Sequence, residues 1–155
     1  MSKYFLESSA FTKRYKAEIG SDLVNNLFNN NHDLFYLNLA IIELRKVFYR
    51  LWKYPEQQEN QITEEDFNAL NSRFAADIIQ MQRIEFTEEM IEQAIAILER
   101  VWVPNIFDLA QLSAYLIARQ EYSDMFFVCA DKRSKLIDAV KQFVPDTDII
   151  VPRHL

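Results

Sequence analysis

The chain has 155 residues, half of them hydrophobic and 26% charged, with a formal net charge of −6. That length suits one domain of ~100–200 residues with a core of its own, and the composition excludes a disordered chain. The acidic balance excludes a binder that grips nucleic acid by a general excess of Lys and Arg, so any such contact needs a local basic patch or a bound cation.

In chain order, residues 3–6 (Lys-Tyr-Phe-Leu) predict a strand. Ser8 and Ser9 then offer N-cap hydroxyls for a helix over 10–17. Gly20-Ser21-Asp22 breaks the chain and restarts a helix through Leu23, Val24, Leu27 and Phe28, and the Asn29-Asn30-Asn31 run ends it in a turn. Residues 33–37 predict a second strand, followed by a strongly apolar helix over 39–52. The polar stretch 55–61 reads as a loop between helices. Thr63 and three acids open the next helix, where the macrodipole favours negative charge. Residues 83–86 predict a third strand, and a helix follows from Thr87 to about Val101. Asn105 caps a helix over 106–119, the apolar run 125–130 predicts a buried strand, a helix follows over 132–143, and 148–151 closes as a last strand.

Strands separated by helices imply βαβ units and a mostly parallel sheet covered on both faces. Such sheets bind ligands beyond the carboxyl ends of their strands, and acids stand there. Glu7 follows the first strand and Asp131 the 125–130 strand. Glu43 sits among Ile41, Ile42 and Leu44 on the edge of the apolar stripe, and Asp108 lies in the first turn of its helix, four residues before Leu112. Carboxylates on a packed face are paired or bind a cation. Each also has a local explanation: a solvated strand end for Glu7, a helix-start acid for Asp108 and Asp131, an arginine partner for Glu43. If the four acids converge, their repulsion calls for a hard divalent ion, Mg²⁺ or Mn²⁺, and such an ion activates water against a phosphodiester.

The residues carrying these acids resemble the motifs of the PIN domain family, in particular its bacterial VapC-like toxin ribonucleases. Tyr4-Phe5-Leu6-Glu7-Ser8-Ser9-Ala10-Phe11-Thr12-Lys13-Arg14-Tyr15 is similar to the family's opening, and Ala40-Ile41-Ile42-Glu43-Leu44-Arg45 to its second motif. Asn105-Ile106-Phe107-Asp108-Leu109-Ala110-Gln111-Leu112 resembles the third, and Phe127-Val128-Cys129-Ala130-Asp131-Lys132-Arg133 the fourth. The resemblance spans nearly the whole chain in order. It implies one PIN-like domain over 1–155, a three-layer α/β/α sandwich with a mostly parallel sheet, and a Mg²⁺- or Mn²⁺-dependent endoribonuclease. It implies Glu7, Glu43, Asp108 and Asp131 as catalytic and metal-holding residues, Ser9 beside the metal or a substrate phosphate, and single-stranded RNA as target. It further implies an antitoxin partner, common homodimerisation and a cytoplasmic toxin–antitoxin role. Lys13, Arg14, Lys132 and Arg133, near two of the acids in sequence, are candidates for positioning the RNA backbone. One residue departs from the pattern: Glu7 stands where the family has Asp, one methylene longer. The alternative reading is therefore a catalytically impaired PIN-like module that binds RNA or protein without turnover; a metallophosphatase acting on small phosphate esters is a third.

Other chemistry finds little support. Cys129 is the only cysteine and sits in an apolar strand, which predicts a buried inert thiol and excludes a disulfide framework. His32 and His154 are the only histidines: His32 borders the Asn-rich turn and reads as exposed, and neither has a triad pattern. Tyr15, Trp52 and Trp102 read as core or interface. No Gly-rich phosphate loop is present, and no apolar run reaches the ~20 residues of a membrane span, so a soluble protein of a reducing compartment is expected.

Overall fold

The computed structural model describes residues 2–130 and 135–153. The elements follow one another as β1 (Lys3–Leu6), α1 (Ser8–Thr12), α2 (Ser21–Asn29), β2 (Asp33–Leu37), α3 (Ala40–Lys53), α4 (Glu64–Ile79), β3 (Gln82–Ile84), α5 (Glu88–Leu98), α6 (Ile106–Glu121), β4 (Phe126–Val128), α7 (Leu136–Val140) and β5 (Ile149–Ile150), the last preceded by a 3₁₀ turn at Asp146–Asp148. The five strands form one sheet in the order β3-β2-β1-β4-β5. Every neighbouring pair is parallel, so the expected mostly parallel sheet is parallel throughout.

Strand side chains alternate between faces, and the core divides accordingly. Phe5, Phe35, Leu37 and Phe127 turn toward one face and pack with Met90, Ile97, Leu112, Tyr115 and Val140 from α5, α6 and α7. Leu6, Leu34, Tyr36 and Val128 turn toward the other and meet Phe11, Leu27, Leu44, Phe48 and Phe74 from α1 to α4. The result is the anticipated three-layer α/β/α sandwich. Phe5 sits at its centre, opposite Phe35 on one side and Phe127 on the other, and its ring stacks on Phe127 with centroids 5.7 Å apart. Phe74 is the buried residue of α4 and closes a cage with Phe11, Tyr15 and Phe48 at centroid distances of 5.5, 5.5 and 5.8 Å, with Phe67, Leu70 and Ile78 of the same helix packed half-buried against this core.

Local chemistry accounts for the element starts. Thr63 and Asp66 form a reciprocal capping box at α4; Thr87 caps α5 by accepting from Met90 N–H, and Asn105 caps α6 by accepting from the N–H groups of Phe107 and Asp108. The predicted 10–17 helix is corrected. α1 is a single short helix, Ser8–Thr12, and its cap is Glu7, not a serine. Beyond it, i→i−3 bonds from Lys13 to Ala10 and from Arg14 to Phe11 tighten the chain and carry Tyr15 into the core. Asn31 takes a positive φ of 55°, consistent with the predicted turn. Of the helix expected over 132–143, α7 is the described part; Lys132 and Arg133 lie outside the described residues, as do Asp131 and His154. Trp102 is 75% exposed and does not fill the core, and His32 is half-buried, its ring edge against Tyr4. Among the described residues no helix is long and apolar enough to cross a membrane.

Candidate active site

The strand order places β1 at the centre, with the chain building outward to β2 and β3 on one side and to β4 and β5 on the other. The carboxyl ends of β1 and β4 therefore flank a topological switch point, where open parallel sheets form their ligand crevice. A cleft of about 340 Å³ lies here, and Glu7, Ser9, Glu43, Lys46, Arg50 and Asp108 are among the residues lining it.

Glu7 leaves β1 and immediately caps α1. Its Oε2 accepts from Ser9 N–H at 2.9 Å and from the Ser9 hydroxyl. The same hydroxyl oxygen accepts from Ala130 N–H at 3.0 Å, latching the segment after β4 to the start of α1. Asp131, next in sequence, lies outside the described residues. Glu7 is 2% exposed. Burial raises its pKa from 4.5 to about 8; the Ser9 hydroxyl opposes the shift, and the carboxylates of Asp108 and Glu43 add to it.

Glu43 lies at the edge of the α3 stripe made by the buried Ala40, Leu44, Phe48 and Leu51. Among the described residues its partners are not arginines. Oε1 accepts from Ser8 Oγ at 2.8 Å and from Gln111 Nε2 at 3.2 Å. Burial raises its pKa, against the lowering by Ser8, Gln111 and the charge of Lys46. Asp108 is buried in the first turn of α6, whose residues from Asp108 through Tyr115 are all buried. Three of the four sequence-predicted acids, Glu7, Glu43 and Asp108, thus line one cleft although they come from three separate elements.

Of the predicted backbone-positioning cations, Lys132 and Arg133 lie outside the described residues, and Lys13 and Arg14 lie away from the cleft. Lys13 Nζ pairs with Glu18 at 3.1 Å and with Ile19 O at 2.6 Å. Arg14 binds Asp77 at 3.2 Å and Asn25 at 2.9 Å and lies over the Phe28 ring. Neither lines the cleft. The tight turn after Thr12 directs them to these partners, and Tyr15, buried, gives its hydroxyl proton to the same Asp77 at 2.8 Å. Among the described residues the cations at the cleft are Lys46 and Arg50. They stand three and seven residues beyond Glu43 on α3, a helical spacing that would have revealed them. Arg50 is held by Glu59, a loop residue whose carboxylate also pairs with Lys16 at 2.7 Å. Those cations keep Glu59 depressed to about 2, the Arg50 hydrogen bond being the largest cause. Cys129 is buried, as expected.

The cleft's donor set is carboxylate oxygen, the chemistry of Mg²⁺ and Mn²⁺. Among the described residues no three His, Cys, Asp or Glu side chains converge tightly enough to enclose an ion. A hard ion that keeps several waters and takes one or two carboxylates suits such an arrangement, and its charge would offset both the burial that raises Glu7 and the smaller repulsion from Asp108 and Glu43. Among the described residues no Lys or Arg makes an ion pair with Glu7 or Glu43.

No family model and no curated protein matches the sequence. Solved structures do match in shape. FitAcB from Neisseria gonorrhoeae superposes with a TM-score of 0.66 at 13% identity, over 98% of this chain and 99% of that one. PAE2754 from Pyrobaculum aerophilum gives 0.59 at 13% identity, over 97% and 84%. VapBC2 from Rickettsia felis, solved bound to a DNA fragment from its promoter, gives 0.57 at 11% identity, over 96% of each chain. Likeness over nearly the full length at such low identity establishes the fold, a PIN-like α/β/α sandwich.

Proposed function

We propose that this chain is a Mg²⁺- or Mn²⁺-dependent endoribonuclease, with Glu7, Glu43, Asp108 and Asp131 holding the cation. One observation carries the reading: acids from β1's end, α3 and α6 line a single cleft at the switch point, and no Lys or Arg among the described residues closes an ion pair on Glu7 or Glu43. A bound hard cation supplies Lewis-acid polarisation of the phosphoryl oxygen and a lowered pKa for water. The chain's own residues do the rest. Lys46 and Arg50, on the cleft wall, meet the phosphates of the strand, replacing Lys13 and Arg14 in that role. Glu43, with Ser8 and Gln111 on its Oε1, keeps Oε2 for the edge of the cation, where it would also orient the attacking water. Ser9 holds Glu7 and borders the substrate phosphate.

The partner reading is an antitoxin. An apolar groove of about 540 Å³ between α5 and α6 presents Ile91, Ile95, Leu98 and Ile106. Ile42 and Phe107 line both this groove and the acidic cleft. A helix with an apolar stripe and an arginine at its end complements both surfaces at once. A second copy of the chain is the competing occupant of the same exposed isoleucines.

The test is cleavage of a single-stranded RNA panel with Mg²⁺ or Mn²⁺. Turnover is expected to vanish with chelator and to fall by about 10²-fold or more in Asp108→Asn. Metal-dependent cleavage that survives Asp108→Asn would place the chemistry elsewhere. One observation favours the silent-module reading: Glu7 is capped onto Ser9, and burial holds its proton at neutral pH. RNA binding without turnover, converted to turnover by Glu7→Asp, would establish that second reading.

A further inference from the structure

We propose that Gln111, with Ser8, is a positioning residue for Glu43: an amide that meets neither cation nor substrate sets which carboxylate oxygen faces the cleft. This inference rests on the metal-centre reading above.

Gln111 lies on α6 three residues past Asp108, just under one turn, so the two share a side of the helix. It is 0% exposed. Its Nε2 donates to Ser8 Oγ at 2.9 Å and to Glu43 Oε1 at 3.2 Å, and Ser8 Oγ in turn donates to the same Oε1 at 2.8 Å. Three elements, α1, α3 and α6, thereby close a triangle on one carboxylate oxygen. Two donors on Oε1 fix the plane of the carboxylate and leave Oε2 as the oxygen for the cleft. Ser8 accepts from Gln111 while donating to Glu43, so the two bonds polarise each other.

Among the described residues both hydrogen bonds of the amide go to the Glu43 cluster, and its buried Oε1 has no partner there. An unmet buried acceptor lowers stability, and the flanking core, with Leu112, Ala114 and Tyr115 fully buried, would accept an apolar side chain. Partners that orient a metal-holding side chain typically change metal affinity 10–100-fold when removed.

The experiment is a calorimetric Mn²⁺ titration of the full chain and of Gln111→Leu, Ser8→Ala and the double variant, with thermal melts in chelator. Gln111→Leu is expected to bind Mn²⁺ about 10-fold or more weakly while its melting temperature in chelator stays level or rises. Ser8→Ala should weaken binding less, because the direct Gln111–Glu43 bond remains, and the double variant should lose less than the two single losses combined. Unchanged Mn²⁺ affinity in Gln111→Leu overturns the inference and leaves the metal centre standing. A melting temperature that collapses with Gln111→Leu overturns it too, by making the amide structural. No Mn²⁺ binding by the parent chain removes the metal-centre reading itself, and this inference with it.

Discussion

Replacing Glu7 with glutamine should change how stability depends on pH. Burial, the largest cause, pushes the folded carboxyl up to about 8, against 4.5 for a free glutamate. Between those values the metal-free native state holds a proton that the unfolded chain has released. Stability from this group is therefore fully present below about 4.5 and drains away as pH rises through 8. The gap corresponds to a ceiling of about 5 kcal/mol at 1.36 kcal/mol per pH unit, a third or more of a typical domain's stability. Glutamine keeps an oxygen to cap Ser9 N–H and carries no charge. In urea unfolding with chelator, parent and Glu7→Gln should be close at pH 5, with the variant more stable by several kcal/mol at pH 9. Saturating Mn²⁺ should flatten the parent's curve and change the variant's less. Parallel stability curves for the two proteins across pH 5 to 9 would refute the claim that this carboxyl is charged at the expense of burial.

Two further outcomes follow from geometry. Gly20, the only glycine, has φ 92°, and a Cβ there would lie 1.8 Å from the carbonyl oxygen of Pro152; Gly20→Ala should lose at least about 1–3 kcal/mol from the left-handed conformation plus the displaced C-terminal segment, and an unshifted denaturation midpoint would contradict this close approach. Glu59, held near 2 by Arg50 and Lys16, stabilises the fold above about 4.5 and loses that effect as pH falls through 2, so Glu59→Gln should cost about 1.5–3 kcal/mol at pH 7 with a difference from the parent that shrinks in acid, measured by denaturation at pH 7 and pH 3.

Much of the architecture was readable because its signals are local. Thr63, Thr87 and Asn105 mark helix starts within one turn, and a continuous apolar run such as Leu34-Phe35-Tyr36-Leu37 marks a strand buried on both faces. The misreadings share one cause, which is that neighbours in sequence were taken for neighbours in space. Ser8 and Ser9 have the chemistry of caps, yet Glu7 took that role, freeing Ser8 to hold Glu43. Lys13 and Arg14 follow a cleft acid closely, yet the tight turn after α1 delivers Arg14 to an aspartate 63 residues away. Lys46, Arg50 and Gln111 were overlooked although each lies at a helical spacing from a predicted acid, three or seven residues on. Trp102, large and apolar, ended exposed beside the α5–α6 connection.

The amino-acid order alone determined the alternation of strand and helix, the parallel layered architecture and the identity of the acids at strand ends and helix starts. Those features depend on side-chain periodicity and on hydrogen bonds within a turn, which any stretch of chain carries with it. Only the tertiary structure decided that Glu7, Glu43 and Asp108 share one cleft, which cations face them and which are spent on distant carboxylates. Strand order and helix docking set those distances, and electrostatic partnership is governed by distance and burial, neither of which has a local signature.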